Sequence, residues 1–436
     1  MTFLRQGLPK FFNLSADAVS EDKRAILPRD AESAYYHYDT LAQVRKALME
    51  GAKVEVLRSL KTNGDGAHVT WSTILNAWVV TSQNVSIVAR DEREVKTCYP
   101  EQTRYFLARK IALCWMRKIK AIEQNDAGKM DALKSDLAEH VFIGDFIGNT
   151  ELINLIKYPR ETICFHSVML KYRTAGNAKN TTYCLPNSFN ILSRHPIDVT
   201  PNRVCGVYEN YDQLCTSLAE IHKQVANSSL SASEEGAVLT FIRRNPEDST
   251  VPDSVISMCK VKSVEYQALK LLVQLLQGAV ESDNIERQQD SLFTQYVKEF
   301  KQFSKSIDQS LGSHPETFYI DLFSTAFTMI AKKSNKKDKE MYQDLIYSDT
   351  VKFLVLVLNT NEEKNQGQRY VGQIELESSN LSEATPFGGD MIQSKPKKAS
   401  FQTPKDNSNN ILGEVMPPAE QPPSRKAKKE QAAKPE

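Results

Sequence analysis

In Val54-Glu55-Val56-Leu57-Arg58-Ser59-Leu60-Lys61-Thr62-Asn63-Gly64-Asp65-Gly66, an apolar, valine-rich run ends in a lysine and passes directly into an Asn-Gly pair. The run predicts a β-strand. Asn63-Gly64 predicts a tight turn, whose backbone N–H groups can approach a ligand closely. A lysine between the two is well sited to present its amine at the floor of a nucleotide pocket. Taken alone the pattern is common, because Asn-Gly is an ordinary hairpin signal and most such lysines are solvated.

Working outward, short β-like runs recur at Trp78-Val79-Val80, Val85-Ser86-Ile87-Val88, Thr162-Ile163-Cys164-Phe165 and Ala237-Val238-Leu239-Thr240-Phe241-Ile242. Gly and Asn turn signals separate them, and helical periodicity interrupts them at about 101–123 and 211–226. This is an α+β pattern. From Val264 the spacing of Leu269, Leu272, Val273 and Leu276 is helical, with further segments near 286–303 and 316–333. From Ser379 onward the periodic apolar pattern stops, eight of the 18 prolines gather, and the chain closes on Ser424-Arg425-Lys426-Ala427-Lys428-Lys429. Such a segment cannot bury enough apolar surface to offset its ordering entropy. The expected division is therefore 1–263, α+β; 264–378, helical; and 379–436, a disordered tail. The tail's basic cluster reads as a nuclear address, an RNA-touching arm or a solvated end.

Composition sets the outer bounds. The 436 residues carry 55 Lys plus Arg against 54 Asp plus Glu, a formal charge of +1. That excludes a histone-like polycation but not a local basic groove, because the sum hides where the charges sit. No apolar run approaches the ~18 residues that cross a bilayer, and no secretory signal is visible after Met1. A soluble intracellular protein is expected, cytoplasmic or nuclear, with no membrane partner. The seven cysteines are scattered without a C-x-x-C pair, and the seven histidines lack metal-ligand spacing. Reduced, mostly buried thiols and structural histidines follow.

Two downstream segments change the standing of Lys61. Glu234-Glu235-Gly236-Ala237-Val238-Leu239 sets a carboxylate before a glycine and an apolar strand, and Met258-Cys259-Lys260-Val261-Lys262-Ser263 sets two lysines on one face of a strand. Read singly, the first is a turn and the second a solvated strand face. In order, they supply what nucleotidyl transfer needs: a lysine nucleophile, a carboxylate near a metal, and cations over phosphates. A lysine with a pKa near ~10.4 is a poor nucleophile at pH 7. Neighbouring cations favour its neutral form and also neutralise phosphate oxygens.

These segments, K-x-[DN]-G, E-G-x-V and K-x-K, resemble motifs I, IV and V of the covalent nucleotidyltransferases, the ATP-dependent polynucleotide ligases and mRNA capping enzymes. Gly7-Leu8-Pro9-Lys10-Phe11-Phe12-Asn13 resembles the K-F-F-N sequence upstream of the nucleophile in phage RNA ligases and fungal-type tRNA ligases. Gly144-Asp145-Phe146-Ile147-Gly148 resembles the G-E-x-x-G element, and Ile163-Cys164-Phe165-His166-Ser167-Val168 the aromatic-containing strand that follows it. The resemblance covers about residues 5–270. It implies an adenylation domain built on antiparallel sheets, using ATP and Mg²⁺ on RNA with 5′-phosphate and 3′-OH ends. Lys61 would take AMP, Glu235 would lie near the metal, and Lys260 and Lys262 would hold the α-phosphate. Asn63 and Gly64 belong to the same nucleotide site. Asp145 would contact the ribose, Phe165 would stack on adenine, and Arg90 would touch phosphate or ribose. Lys10 and Phe12 would serve the nucleotide or the RNA 5′-phosphate.

Asp145 is one methylene shorter than the family's glutamate, and Gln83 stands where relatives commonly carry lysine. These departures motivate a rival reading, a catalytically inactive RNA-binding relative. Capping guanylyltransferase and DNA ligase are weaker alternatives, since no OB-fold strand pattern follows Lys262. Lys332-Lys333-Ser334-Asn335-Lys336-Lys337 reads as an RNA-backbone contact or a solvated helix end.

Overall fold

Burial of the middle strands on both faces sets the architecture. The computed structural model describes residues 12–14, 31–101, 104–148, 155–156, 158, 160–171, 184–228, 235–246, 252–281, 285–311, 313–331 and parts of 340–360. All of these fall in the compact unit Met1–Leu376. Lys10, the 332–337 run and the expected tail 379–436 lie outside the described residues.

The first sheet contains β1 (Phe12–Asn13), β2 (Lys53–Lys61), β8 (Asn202–Tyr208), β9 (Gly236–Arg244) and β10 (Ser254–Lys262), in the order β1-β10-β9-β2-β8. The second contains β3 (Asp65–Ser72), β4 (Ala77–Thr81), β5 (Ser86–Ala89), β6 (His140–Ile147) and β7 (Thr162–Leu170), in the order β5-β4-β3-β6-β7. Pairing between these strands is antiparallel except where β1 runs parallel beside β10. The α+β class with antiparallel sheets is as expected.

One face of the first sheet buries Val54, Val56, Leu239, Phe241 and Val261 under α1 (Ala31–Met49) and α6 (Tyr211–Ala226). Its other face sets Leu57, Val238, Ile242 and Met258 against Val141, Ile143 and Met169 of the second sheet. The far face of the second sheet packs Val69, Trp71, Phe142 and Phe165 under α3 (Phe106–Asn125) and α4 (Ala127–Glu139). The result is a helix–sheet–sheet–helix stack in which β2, β9, β10, β6 and β7 each serve two cores. Edge-to-face rings stitch the outermost layer, with Trp71–Trp78 at 4.7 Å and Trp78–Trp115 at 5.4 Å between centroids.

Helix α3 forms because Ile111, Trp115, Ile119 and Ile122 recur at helix spacing and are all buried. It ends at Asp126, which then caps α4 by accepting from the Lys129 N–H at 3.2 Å. Asn210 caps α6 in the same way, accepting from the Asp212 and Gln213 N–H groups. Two shorter helices, α2 (Glu92–Cys98) and α5 (Ser188–Leu192), fill connections. Helices α1 and α4 and strands β3, β6 and β8 were not among the sequence expectations. Strand β8 shows why: it lies at a sheet edge and is largely exposed, so its pattern lacks alternation.

After Lys262 the chain is helical, as expected. The helices α7 (Val264–Glu281), α8 (Ile285–Phe303) and α9 (Glu316–Ala331) share a core that includes Leu272, Leu276, Tyr296, Phe300, Phe323 and Phe327. The Tyr296 and Phe323 rings stack at 4.8 Å.

Candidate functional site

Three adjacent strands end at one place. Lys61, the last residue of β2, pairs with Gly236, the first of β9, and Gly236 pairs in turn with Lys262, the last of β10. Lys61 follows Leu57 by two strand repeats, and Lys262 follows Met258 by two, so both side chains enter the space between the sheets. The residue between them has to be glycine: its φ is +153°, and a Cβ there would lie 2.0 Å from the Val261 carbonyl oxygen.

Glu235 is held by backbone on both sides, donating its N–H to the Lys61 carbonyl at 3.0 Å and accepting from the Ser263 N–H at 3.1 Å. Its carboxylate bridges the lysines, with Oε2 3.2 Å from Lys61 Nζ and Oε1 2.5 Å from Lys262 Nζ. The Glu235 side chain is 6% exposed, and those of Lys61 and Lys262 are 17% and 16%. Burial by itself would raise the Glu235 carboxyl, but the two ammonium charges outweigh it and hold the group below its ordinary value. Two cations on one buried carboxylate leave a positive surplus, which suits an incoming anion.

Beneath this knot lies Asn63. Its N–H donates to the Tyr158 hydroxyl at 2.8 Å, and its Oδ1 accepts from the Tyr266 hydroxyl at 3.2 Å. Asn63 Nδ2 is buried with no hydrogen-bond partner among the described residues. An unmet buried donor costs roughly 1–3 kcal/mol, so an acceptor on a ligand fits here. Gly64 lets the turn close on β6, since a Cβ would fall 2.5 Å from the Phe146 carbonyl oxygen. Next door, Thr62 Oγ1 donates to Asp145 Oδ2 at 2.6 Å, which brings the predicted Asp145 within one residue of Lys61. Asp65 is raised by burial and by the Asp145 charge.

The remaining predicted residues divide. Lys260 lies on β10 two residues before Lys262, and β1 places Phe12 opposite Cys259 and Asn13 opposite Lys260. The Leu14 N–H donates to the Lys260 carbonyl at 2.8 Å. Phe12 and Asn13, the last two residues of K-F-F-N, are thus laid against K-x-K despite nearly 250 intervening residues.

Phe165 and Arg90 are corrections. Phe165 is 1% exposed, on the face of β7 that packs under α3, with centroids 5.8 Å from Trp115 and 6.0 Å from Phe142. Asp145 belongs to the opposite face of that sheet, so this ring is core and not an adenine platform. Burying it contributes roughly 1.5–3 kcal/mol. Arg90 follows edge strand β5 at the end of the sheet away from Asp65, because Ala89 pairs with Trp78 and Trp78 with Trp71. Its side chain is 68% exposed and ion-paired to Glu94, one turn along. It belongs to the start of α2.

Besides Tyr158, three residues joined the site without a sequence expectation. Tyr266 lies under two cations, Lys262 Nζ at 5.2 Å and Lys270 Nζ at 5.6 Å from its centroid. Burial and the Glu235 charge push the Tyr266 phenol up. Lys270 is lowered by burial and by the charges of Lys262 and Lys61, with Glu235 opposing. Their i, i+4 spacing on α7, directly after K-x-K, is the signal that could have found them. His166 had no such signal. Ile143 pairs with Ser167 and Gly144 with Phe165, so His166 is the extra residue of a β-bulge. Its imidazole is pushed down by burial, with the Asp145 charge opposing and the Lys61 charge adding.

No protein-family model and no curated protein matches the chain. Among solved structures, it is similar to an archaeal ATP-dependent RNA ligase at 11% identity, covering 82% of this chain and 66% of that one, with a TM-score of 0.35. A mutant Naegleria gruberi RNA ligase in its apo form matches at 16% identity over 52% of this chain and 53% of that one, TM-score 0.28. A putative ATP-dependent DNA ligase from Aquifex aeolicus matches at 9% identity over 79% and 76%, TM-score 0.33. The chain thus spans just under two thirds of the length of the first of these. No helix among the described residues is long and apolar enough to cross a membrane.

Proposed function

We propose that this protein is an ATP-dependent RNA ligase that works through a covalent lysyl-AMP. In this reading 1–263 is the adenylyltransferase domain, 264–378 a helical appendage and 379–436 a tail. The observation that carries the reading is the meeting of Lys61, Glu235 and Lys262 at the ends of three neighbouring strands, across more than 170 residues of sequence.

In the first step the α-phosphate of ATP draws Lys262 and Lys260 toward its oxygens. Lys61 leaves Glu235, sheds a proton and forms the P–N bond as the bond to pyrophosphate breaks. Next, an oxygen of the RNA 5′-phosphate displaces Lys61 from the AMP phosphorus. Finally, the 3′-OH attacks that activated 5′-phosphate and AMP departs. Lys262 would neutralise charge in each displacement. Asn63 Nδ2 is the buried donor awaiting an acceptor on the nucleotide.

Magnesium passes the same test of fit. Among the described residues no group of three or more His, Cys, Asp or Glu collects, but Mg²⁺ commonly takes one or two carboxylates and completes its shell with phosphate oxygens and water. Glu235, freed from the lysines, would be its protein ligand. The ion would supply neutralisation of the phosphate oxygens.

The test is covalent labelling. Protein incubated with Mg²⁺ and α-labelled ATP should acquire an acid-labile adduct that Lys61→Ala abolishes. Absence of label from ATP and GTP alike defeats the ligase reading in favour of a non-catalytic RNA-binding relative. Label from GTP alone converts it to capping chemistry.

A further inference from the structure

Helix α7 brings one more cation to the site than the knot around Glu235 uses. Tyr266 and Lys270 stand one turn apart on one face of the helix. Lys270 borders the buried stripe of Leu269, Leu272, Val273 and Leu276, and is itself half-buried. Its Nζ lies 5.6 Å from the centroid of the Tyr266 ring, and Lys262 Nζ lies 5.2 Å from the same centroid. Among the described residues Lys270 forms no ion pair. The carboxylate whose charge reaches it is Glu235, and both oxygens of that group are already engaged, by Lys61 at 3.2 Å and Lys262 at 2.5 Å. Three ammonium groups thus share one carboxylate in a site that is largely closed to water. Such crowding disfavours the charged lysines, and a polyanion relieves it. A single phosphate at Lys61 and Lys262 would leave Lys270 unanswered.

We infer that Lys270 holds the β- and γ-phosphates of ATP and stays with them as pyrophosphate departs. This deepens the ligase reading and rests on it for the identity of the nucleotide. The charge of Lys262 acts on Lys270 more strongly than that of Lys61, so the cations succeed one another across the site as Lys61, Lys262, Lys270. In-line displacement sends the leaving group away from the attacking amine. With the α-phosphate at Lys262 and Lys61 attacking from one side, Lys270 is the cation on the other. As the P–N bond forms, the P–O bond between the α- and β-phosphates breaks. Its electron pair passes to the pyrophosphate oxygen, and the proton of Lys61 leaves to water. Lys270 then meets a charge that grows as the bond breaks, where a fixed cation is worth most. Tyr266 seats that cation through its ring, and its own hydroxyl is anchored on Asn63 Oδ1 at 3.2 Å.

The experiment titrates inorganic pyrophosphate and AMP separately into the full chain with Mg²⁺ present, followed by calorimetry. Lys270→Gln should weaken pyrophosphate about tenfold or more, the loss of a charge-assisted contact, and leave AMP nearly unchanged. Lys270→Arg keeps the cation and should restore most of the pyrophosphate affinity. Equal weakening of both ligands overturns the inference, since Lys270 would then only support the knot. Unchanged pyrophosphate affinity in Lys270→Gln, or no pyrophosphate binding by the unmodified chain, overturns it as well. Missing label from α-labelled ATP in the unmodified chain strikes the ligase reading instead, and leaves the two titrations to judge Lys270. Should Lys270→Gln fold poorly, Lys270→Met keeps an apolar stem against Tyr266 without the charge. The same selective loss of pyrophosphate is then expected, and its absence overturns the inference.

Discussion

Glu235 and Phe165 are almost equally buried, at 4% and 1% exposure, yet they are held in opposite ways. Phe165 sits in an aromatic layer where many weak contacts add, none of them indispensable. Glu235 sits in a knot of two ion pairs and two backbone hydrogen bonds, where each partner is needed. Apolar burial tolerates a change of shape. Buried charge tolerates a change of partner only if another charge takes the place; under the proposed function, a nucleotide phosphate arriving at Lys61 and Lys262 would be such an exchange.

The contrast can be probed by substitution, beginning where the effect is greatest. Glu235→Ala leaves two ammonium groups without their shared anion; an unfolding free energy lower by about 3–5 kcal/mol is expected, along with loss of nucleotide labelling. Denaturant titration and α-labelled ATP read the two effects separately. A loss below about 1 kcal/mol would mean that the knot adds little to the fold. Phe165→Ala should cost a similar ~3–5 kcal/mol, but Phe165→Leu far less, under about 1.5 kcal/mol, and the leucine variant should keep its labelling and nucleotide affinity. A Phe165→Leu protein that folds normally and has lost ATP affinity would restore the ring to the nucleotide site.

The smallest effect is a pH dependence. The Glu235 carboxyl is held below its unfolded value of 4.5, so its contribution to stability is complete above about that pH. It fades as pH falls through the folded value, when protonation dissolves both ion pairs. Below about pH 4.5, the stability of Glu235→Gln should therefore fall less steeply with pH than that of the unmodified chain. Parallel acid limbs in the two proteins would show that other carboxylates govern the decline.

Much of this comparison was legible in the residues. Short apolar, β-like runs marked the strands at 54–57 and 237–242, and the stripe at Leu269–Leu276 marked a helix, because these signals are local and need no knowledge of distant partners. Lys61, Glu235 and Lys262 stood out through chemistry and order along the chain. Phe165 did not resolve that way: an aromatic on a strand between two cores belongs to whichever side its register selects, and here a bulge at His166 intervenes. Arg90 looked like a phosphate ligand in sequence, but strand order carried it to the far end of the sheet.

The sequence by itself determined the α+β class, the switch to helices after Lys262, the near-neutral charge and the identity of the three charged residues in the knot. Those follow from local pattern and side-chain chemistry. Tertiary structure alone decided that β2, β9 and β10 end side by side, that Glu235 bridges both lysines, and that Tyr266, Lys270 and His166 join them. Each depends on strand pairing between residues far apart in the chain, where register is set by the packing of whole faces and no local signal reports the outcome.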